Sequence, residues 1–266
     1  MSVGHDVREG VVALARQAAS RILAVYGTAF DVEHKDDRSP LTAADLAAHH
    51  CIVDGLARLT PHIPVLSEES AAEVPLATRR AWTRLWLVDP LDGTREFVKR
   101  NGEFTVNIAL IEDGIATFGV IQQPVTGALW HGAHGTGAFR REGDTDLAIH
   151  ARQAPAVPLR VAASRSHRDP RTEAFIARIG QVEPMAQGSS LKFCRIAEGA
   201  MDVYPRFAPT SEWDTAAGQA IVEAAGGSVT DPRGRPLRYN QRDTLLNGDF
   251  LALGDPSLPW RGWMDA

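Results

Sequence analysis

Trp86 to Thr94 reads W-L-V-D-P-L-D-G-T, and the fold and chemistry of the chain turn on this stretch. An apolar run, Trp86-Leu87-Val88, ends in two carboxylates, Asp89 and Asp92, three residues apart on a turn, with Gly93 and Thr94 behind them. Hard divalent cations such as Mg²⁺ take oxygen ligands and commonly share carboxylates with substrate phosphate oxygens. A glycine lets backbone approach a ligand, and a helix N-terminus after it aims amides at an anion. The chemistry proposes a metal-assisted phosphate site. Asp-Gly is also common turn chemistry, so the stretch by itself leaves an ordinary turn as the second reading.

Two further acidic groups weigh on that choice. Ile63 to Ser70 reads I-P-V-L-S-E-E-S, a short apolar run ending in Glu68 and Glu69. It predicts a strand that delivers carboxylates at its C-terminal end, where open α/β sheets place their ligands; a solvated loop is the alternative. Ser211 to Gly218 reads S-E-W-D-T-A-A-G and opens a helical stretch that stops at Gly226-Gly227. Asp214 there is either a ligand or a helix-capping acid, favoured by the macrodipole.

In combination, E-E-S, W-L-V-D-P-L-D-G-T and W-D-T-A-A-G with a later A-G-G resemble the inositol monophosphatase superfamily of Mg²⁺-dependent, Li⁺-sensitive phosphatases, in order and over nearly the whole chain. Three more segments resemble its branch of bacterial 3′(2′),5′-bisphosphate nucleotidases of the CysQ type. These are K-D-D-R-S-P-L-T-A-A-D from Lys35, F-V-K-R-N-G-E-F-T-V-N-I-A-L from Phe97 and G-S-S-L-K-F-C from Gly188. The chain departs from the pattern at Leu41, where Val is usual, and at Arg95, where Lys is usual.

The resemblance implies a stack of helix, sheet, helix, sheet, helix (an αβαβα sandwich) with the active site between two subdomains. It implies Glu68, Asp89, Asp92, Asp214 and the Leu91 carbonyl as ligands of two or three Mg²⁺ ions. Thr94, paired with Asp45 on the second helix, would orient the attacking water, with Glu68 completing the catalytic set. The amides of Gly93 and Thr94 would face the phosphate, and Leu91, Asp92 and Asp214 would also border the substrate. Asp45 has a second reading, as the acid of a capping box begun by Thr42. The implied reaction removes the 3′-phosphate of adenosine 3′,5′-bisphosphate in sulfate assimilation, and the 5′-phosphosulfate analogue is a compatible substrate. A second phosphate needs cations away from the metals; Lys192, Arg206 and His167 are the candidates, helped by Ser189 and Gly188. A surface ion pair is the plain alternative for Arg206, and a hydrogen-bonded loop histidine for His167.

Composition fits such an enzyme without selecting it. At 266 residues the chain is one large domain or two close-packed subdomains, and 44% apolar residues suffice for a core. A formal charge of −5 argues against coating nucleic acid, so a nucleotide here is a small substrate. Cys51 and Cys194 are far apart and form no CxxC, which predicts a reducing compartment. The first residues lack a signal-peptide core, and no run approaches about 20 apolar residues. A cytoplasmic protein is expected; a peripheral seat on the inner membrane's cytoplasmic face and the choice of monomer or homodimer stay open.

Along the chain, Val11, Ala15, Ala18, Ile22 and Val25 follow helical spacing up to Gly27. A second helix begins at Thr42 with Ala48, Cys51, Ile52, Leu56 and Leu59 as its buried stripe. Strands are predicted at 85–88, 104–111, 116–122, 128–133 and 159–163, and helices at 170–179, 191–198 and 215–225. The segment 147–158 reads as a boundary between subdomains 1–155 and 156–266, and the alternation of elements predicts a layered α/β architecture. His131 and His134 are expected on an exposed β-turn, since no Cys/His cluster joins them. His49 and His50 are expected on the exposed side of their helix, and Trp82, Trp86, Trp260 and Trp263 as packing residues. Three rival functions remain: an inositol, sugar or histidinol monophosphate phosphatase, a non-catalytic sensor of Mg²⁺ and nucleotide, and a structural or scaffolding role that the clustered acidic motifs make hard to justify.

Overall fold

In the computed structural model, which describes residues 3–27, 32–34, 40–155, 157–164 and 169–264, the strand Arg84–Asp92 feeds two hydrophobic cores at once. Successive residues of a strand face opposite sides. Trp86 and Val88 therefore enter one core while Leu85 and Leu87 enter the other. This strand lies second in a seven-stranded sheet ordered Val65–Ser67, Arg84–Asp92, Thr105–Glu112, Ile115–Gln122, Leu129–Ala133, Gly137–Glu142 and Thr145–Ile149. The first pair is parallel and the rest are antiparallel.

On one face, Trp86, Val88, Ile108 and Phe118 pack with the buried stripes of helices His5–Tyr26 and Ala43–Leu59. On the other, Leu85, Leu87, Ala109 and Ile121 meet helices Leu191–Ala197 and Glu212–Ala224. These two helices form a middle layer. Through Phe193, Tyr204, Val229 and Phe250 the same core continues into a five-stranded sheet. Its order is Val182–Gln187, Leu159–Ser164, Val203–Arg206, Phe250–Leu253, Ser228–Thr230. The outer face of that sheet is closed by helix Pro170–Ile179 and the turn Trp260–Trp263, around Val161, Phe175, Val203 and Leu251. The layers run helix, sheet, helix, sheet, helix, the expected αβαβα sandwich.

The middle layer approaches the larger sheet very closely. A Cβ at Gly119 would overlap the backbone of Ala217, and one at Gly132 would stand 3.0 Å from the Ile221 Cα. Glycine is what allows helix Glu212–Ala224 to lie directly on the sheet.

Several elements differ from the expectation. Strands Gly137–Glu142 and Thr145–Ile149 were not foreseen, and the anticipated boundary at 147–158 begins inside the second of them. Thr145–Ile149 is the edge strand and Gly137–Glu142 lies beside it, and in both most side chains are at least partly exposed, so apolar patterning is weak. Val182–Gln187 was hidden by Pro184, a residue confined to edge strands, and it is one. The second helix starts at Ala43; the Thr42 side chain, and with it the capping box, lies outside the described residues.

Two histidine expectations are corrected. His49 is buried, its Nδ1 2.8 Å from the Ser67 hydroxyl. His131 is buried within strand Leu129–Ala133, its Nε2 2.8 Å from Asp146 Oδ1. In each case a partner from a neighbouring strand supplies the hydrogen bond that makes burial tolerable. His50 and His134 are exposed as expected, and the four tryptophans are packed.

Gly119→Ala should lower unfolding stability by about 1–3 kcal/mol through overpacking. Urea titration should show an earlier midpoint with unchanged slope, whereas an unchanged midpoint would mean that the contact with Ala217 is not constraining.

Candidate active site

Pairing register decides which polar groups meet. Asp89 lies opposite Asn107 and Asp92 opposite Thr105, with a register shift between the two aspartates. Asp89, Thr105 and Asn107 share the strand face of Leu87 and Ala109, so they point toward the middle helices rather than the N-terminal ones. The chain leaves the strand at Gly93, whose φ of 88° is left-handed and whose surroundings leave little room for a side chain. A Cβ there would lie 3.2 Å from both the Glu103 carbonyl and the Ser189 Cβ. Thr94 then begins the short helix Thr94–Val98, and its hydroxyl donates to the Leu91 carbonyl at 3.4 Å.

Asp214 arrives from the middle layer. It sits in the first turn of helix Glu212–Ala224, where Oδ2 accepts the Ser211 amide at 3.0 Å. The capping reading is therefore true of it, and the same carboxylate lies within the acidic cluster. One carboxylate oxygen each of Asp89, Asp92 and Asp214 lies within 4.8 Å of the others. Glu68 opens the turn Glu68–Glu73 directly after a strand whose Ser67 pairs with Val88, which brings it beside Asp89. Asp45 is buried in the first turn of its helix. The charges of Glu68 and Asp45 both act on Asp89.

The electrostatics are those of a crowded, buried acid cluster. Burial, then repulsion from Glu68, Asp92, Asp214 and Asp45, pushes the Asp89 carboxyl well above its ordinary 3.8. Asp214 is raised well above the same value by burial, then by Asp92 and Glu68. Burial also raises Asp92, opposed by the Lys192 ammonium and by hydrogen bonds from the Ser190 amide and Asn107. An all-oxygen, negatively charged donor set crowded in this way fits a hard divalent cation such as Mg²⁺.

Asp92 is held from two sides. Its Oδ2 accepts the Ser190 amide at 2.5 Å, with the Thr105 hydroxyl at 3.4 Å and Asn107 Nδ2 at 3.5 Å. Ser190 stands at the head of helix Leu191–Ala197, which also carries Lys192. Lys192 is buried, donates to the carbonyls of Ser189 at 2.6 Å and Gln187 at 3.2 Å, and lies over the Tyr204 ring. Burial brings its pKa down to about 8, against the pull of Asp92. Arg206 ends the strand that carries Tyr204, close enough for its charge to act on Lys192. Its Nε is buried without a hydrogen bond among the described residues, and Arg206 makes no ion pair among them. Ser189 adopts a positive φ of 46° between these groups. His167 lies outside the described residues.

Sequence reading missed Thr105, Asn107, Ser190 and Tyr204. A signal existed for the first two: T-V-N-I places polar residues at alternate positions within an otherwise apolar strand.

The sequence model of the inositol monophosphatase family matches residues 5–254. The chain belongs to that family. Among its relatives is the 3′(2′),5′-bisphosphate nucleotidase CysQ of Escherichia coli (strain K12), 49% identical over 242 residues, covering 90% of this chain and 96% of the relative. The protein of the same name from Haemophilus influenzae is 33% identical over 263 residues, covering 98% and 97%. Of the family's solved structures, CysQ from Bacteroides thetaiotaomicron superposes with a TM-score of 0.80 at 42% identity, covering 92% of this chain and 96% of that one. An inositol monophosphatase from Zymomonas mobilis gives a TM-score of 0.79 at 28% identity, covering 98% of each.

A carboxyl whose folded pKa stands above its unfolded value keeps protons that the unfolded chain has released, so stability falls as pH rises through that window and the repulsion is complete above it. In chelator, Asp89→Asn should melt a few degrees above the parent near neutral pH. The gap should shrink as pH is lowered toward the ordinary 3.8. An Asp89→Asn melting temperature at or below the parent's at neutral pH would contradict this electrostatic account.

Proposed function

We propose that this family member is a Mg²⁺-dependent 3′(2′),5′-bisphosphate nucleotidase that converts adenosine 3′,5′-bisphosphate to AMP and phosphate, and also accepts the 5′-phosphosulfate analogue in sulfate assimilation. The observation that carries the reading is the adjacency of two opposite environments: the carboxylates of Asp89, Asp92 and Asp214 on one side, Lys192 and Arg206 on the other. A monophosphate ester would use the first alone. The names of the relatives, bisphosphate nucleotidases at up to about half identity, support the same choice.

In this reading Glu68, Asp89, Asp92, Asp214 and the Leu91 carbonyl hold the ions. When bound, these cations supply positive charge to the phosphoryl oxygens and to the leaving oxygen, and they activate water. The Gly93 and Thr94 amides face the phosphate. Thr94 and Asp45 orient the attacking water with Glu68, Asp45 serving as the group that can relieve Thr94 of its proton. Attack forms the new P–O bond as the P–O3′ bond breaks in line, and the departing oxygen takes up a proton. Lys192, Arg206, Ser189 and His167 bind the 5′-phosphate. Residues 1–155 would thus carry most metal ligands, and residues 156–266 Asp214 and the nucleotide contacts. Among the described residues no helix is long and apolar enough to cross a membrane.

The test is phosphate release from adenosine 3′,5′-bisphosphate with and without Mg²⁺, beside inositol 1-phosphate. A strong Mg²⁺-dependent preference for the nucleotide is expected, and preference for inositol phosphate would discard the second-phosphate pocket. Lys192→Ala should weaken turnover of the bisphosphate roughly ten- to hundred-fold, the worth of a charge-assisted contact, and that of a simple monophosphate far less; equal losses would overturn its role. Asp45→Asn should lower kcat by about a hundred-fold or more, and near-normal turnover would reduce Asp45 to a helix cap.

A further inference from the structure

The hydrogen bonds around Asp92 have a direction. Ser190 Oγ lies 2.7 Å from Asn107 Oδ1 and 2.7 Å from Thr105 Oγ1. An amide oxygen has no proton to give, so the single Ser190 hydroxyl proton must go to Asn107. Ser190 Oγ is then free only to accept, and the proton between it and Thr105 must come from Thr105. That distance of 2.7 Å also outcompetes the 3.4 Å from the Thr105 hydroxyl to Asp92. With its oxygen fixed by Ser190, Asn107 turns its Nδ2 toward Asp92 Oδ2. Every proton in the chain Thr105 → Ser190 → Asn107 → Asp92 thus runs toward the carboxylate. The Ser190 amide adds a second donor to the same oxygen. Among the described residues no hydrogen bond engages Oδ1.

We propose that Thr105, Ser190 and Asn107 are positioning residues: a directed relay that fixes the Asp92 carboxylate by one oxygen and presents the other to a divalent cation. The inference rests on the reading of Asp92 as a metal ligand. Three features support it. Ser190, Thr105 and Asn107 are all buried, at 2%, 0% and 1% exposure, so water does not compete for their bonds. A strand and a helix far apart in sequence supply the donors, so the carboxylate is held in a frame rather than by one mobile segment. The chain is neutral, so it orients Asp92 without cancelling the negative charge that attracts the ion. Hydrogen bonds in series also strengthen one another in a low-dielectric surrounding.

The three side chains reach the ion only through Asp92, so their effect belongs in cation affinity before it appears in turnover. The experiment is calorimetric titration of the metal-free, full-length protein with Mg²⁺ alone, beside its melting temperature in chelator. Thr105→Val keeps shape and removes the first donor; Ser190→Ala removes the central hydroxyl but not the amide. Each should weaken Mg²⁺ binding by about ten-fold or more, with little change in the chelator melting temperature, while Thr105→Ser should stay within about two-fold of the parent. Asp92→Asn is the control for the underlying reading. If it binds Mg²⁺ as the parent does, the metal reading fails and the relay with it. If it loses Mg²⁺ while Thr105→Val and Ser190→Ala do not, the relay alone is overturned. Weakened Mg²⁺ binding in Thr105→Ser equal to that of Thr105→Val would also overturn it, since the loss would then come from the methyl group.

Discussion

The contact between Gly119 and the backbone at Ala217 governs the geometry of everything built above it. A helix laid on a sheet normally stands off by the thickness of two sets of side chains. Here Gly119 and Gly132 remove the sheet's side chains at two points, so helix Glu212–Ala224 comes against the strand backbone there, and its first turn comes level with the ends of Arg84–Asp92 and Thr105–Glu112. That is how a carboxylate on a helix and two on a strand come to share one small volume. Gly218, where a Cβ would overlap the Phe193 ring, tightens the middle layer from within and holds helix Leu191–Ala197 beside its neighbour.

Bringing these acids together works against the fold. Desolvation and mutual repulsion both act on Asp89 and Asp214, and neither has a cation of the protein as its main partner. The chain tolerates the strain because the groups around the cluster are otherwise satisfied: Asp214 also caps its helix, Asp92 is caged by donors, and Lys192 is lodged among carbonyls. The stored repulsion is what a divalent cation relieves, so a poor arrangement for stability is a good one for binding charge.

Much of this could be read from the sequence. W-L-V-D-P-L-D-G-T alone left an ordinary turn open, and its combination with E-E-S and W-D-T-A-A-G pointed to the site; helices were legible from spacing because their buried stripes are long. The edge strands were not, since Thr145–Ile149 is exposed along nearly its whole length and carries no alternation to detect. His49 and His131 deceived for a related reason: burial of an imidazole depends on a partner such as Ser67 or Asp146 that no local pattern reveals. Ser190 was quoted within G-S-S-L-K-F-C yet its part was invisible, because its hydroxyl acts on Asn107 from more than eighty positions away. Local sequence specifies elements; only the register between them specifies which polar atoms meet.

The acids also differ in when they exist. Glu68, Asp89 and Asp92 are made early, while Asp214 belongs to the last quarter of the chain. Domains fold as their segments emerge from the ribosome, N-terminal parts first. A growing chain therefore displays only part of the cage, without the helix that closes it. On the proposed reading of these acids as ligands, the set is complete only once helix Glu212–Ala224 lies on Gly119. On the same reading, a chain that stops before that helix carries the conspicuous motif without a complete ligand set.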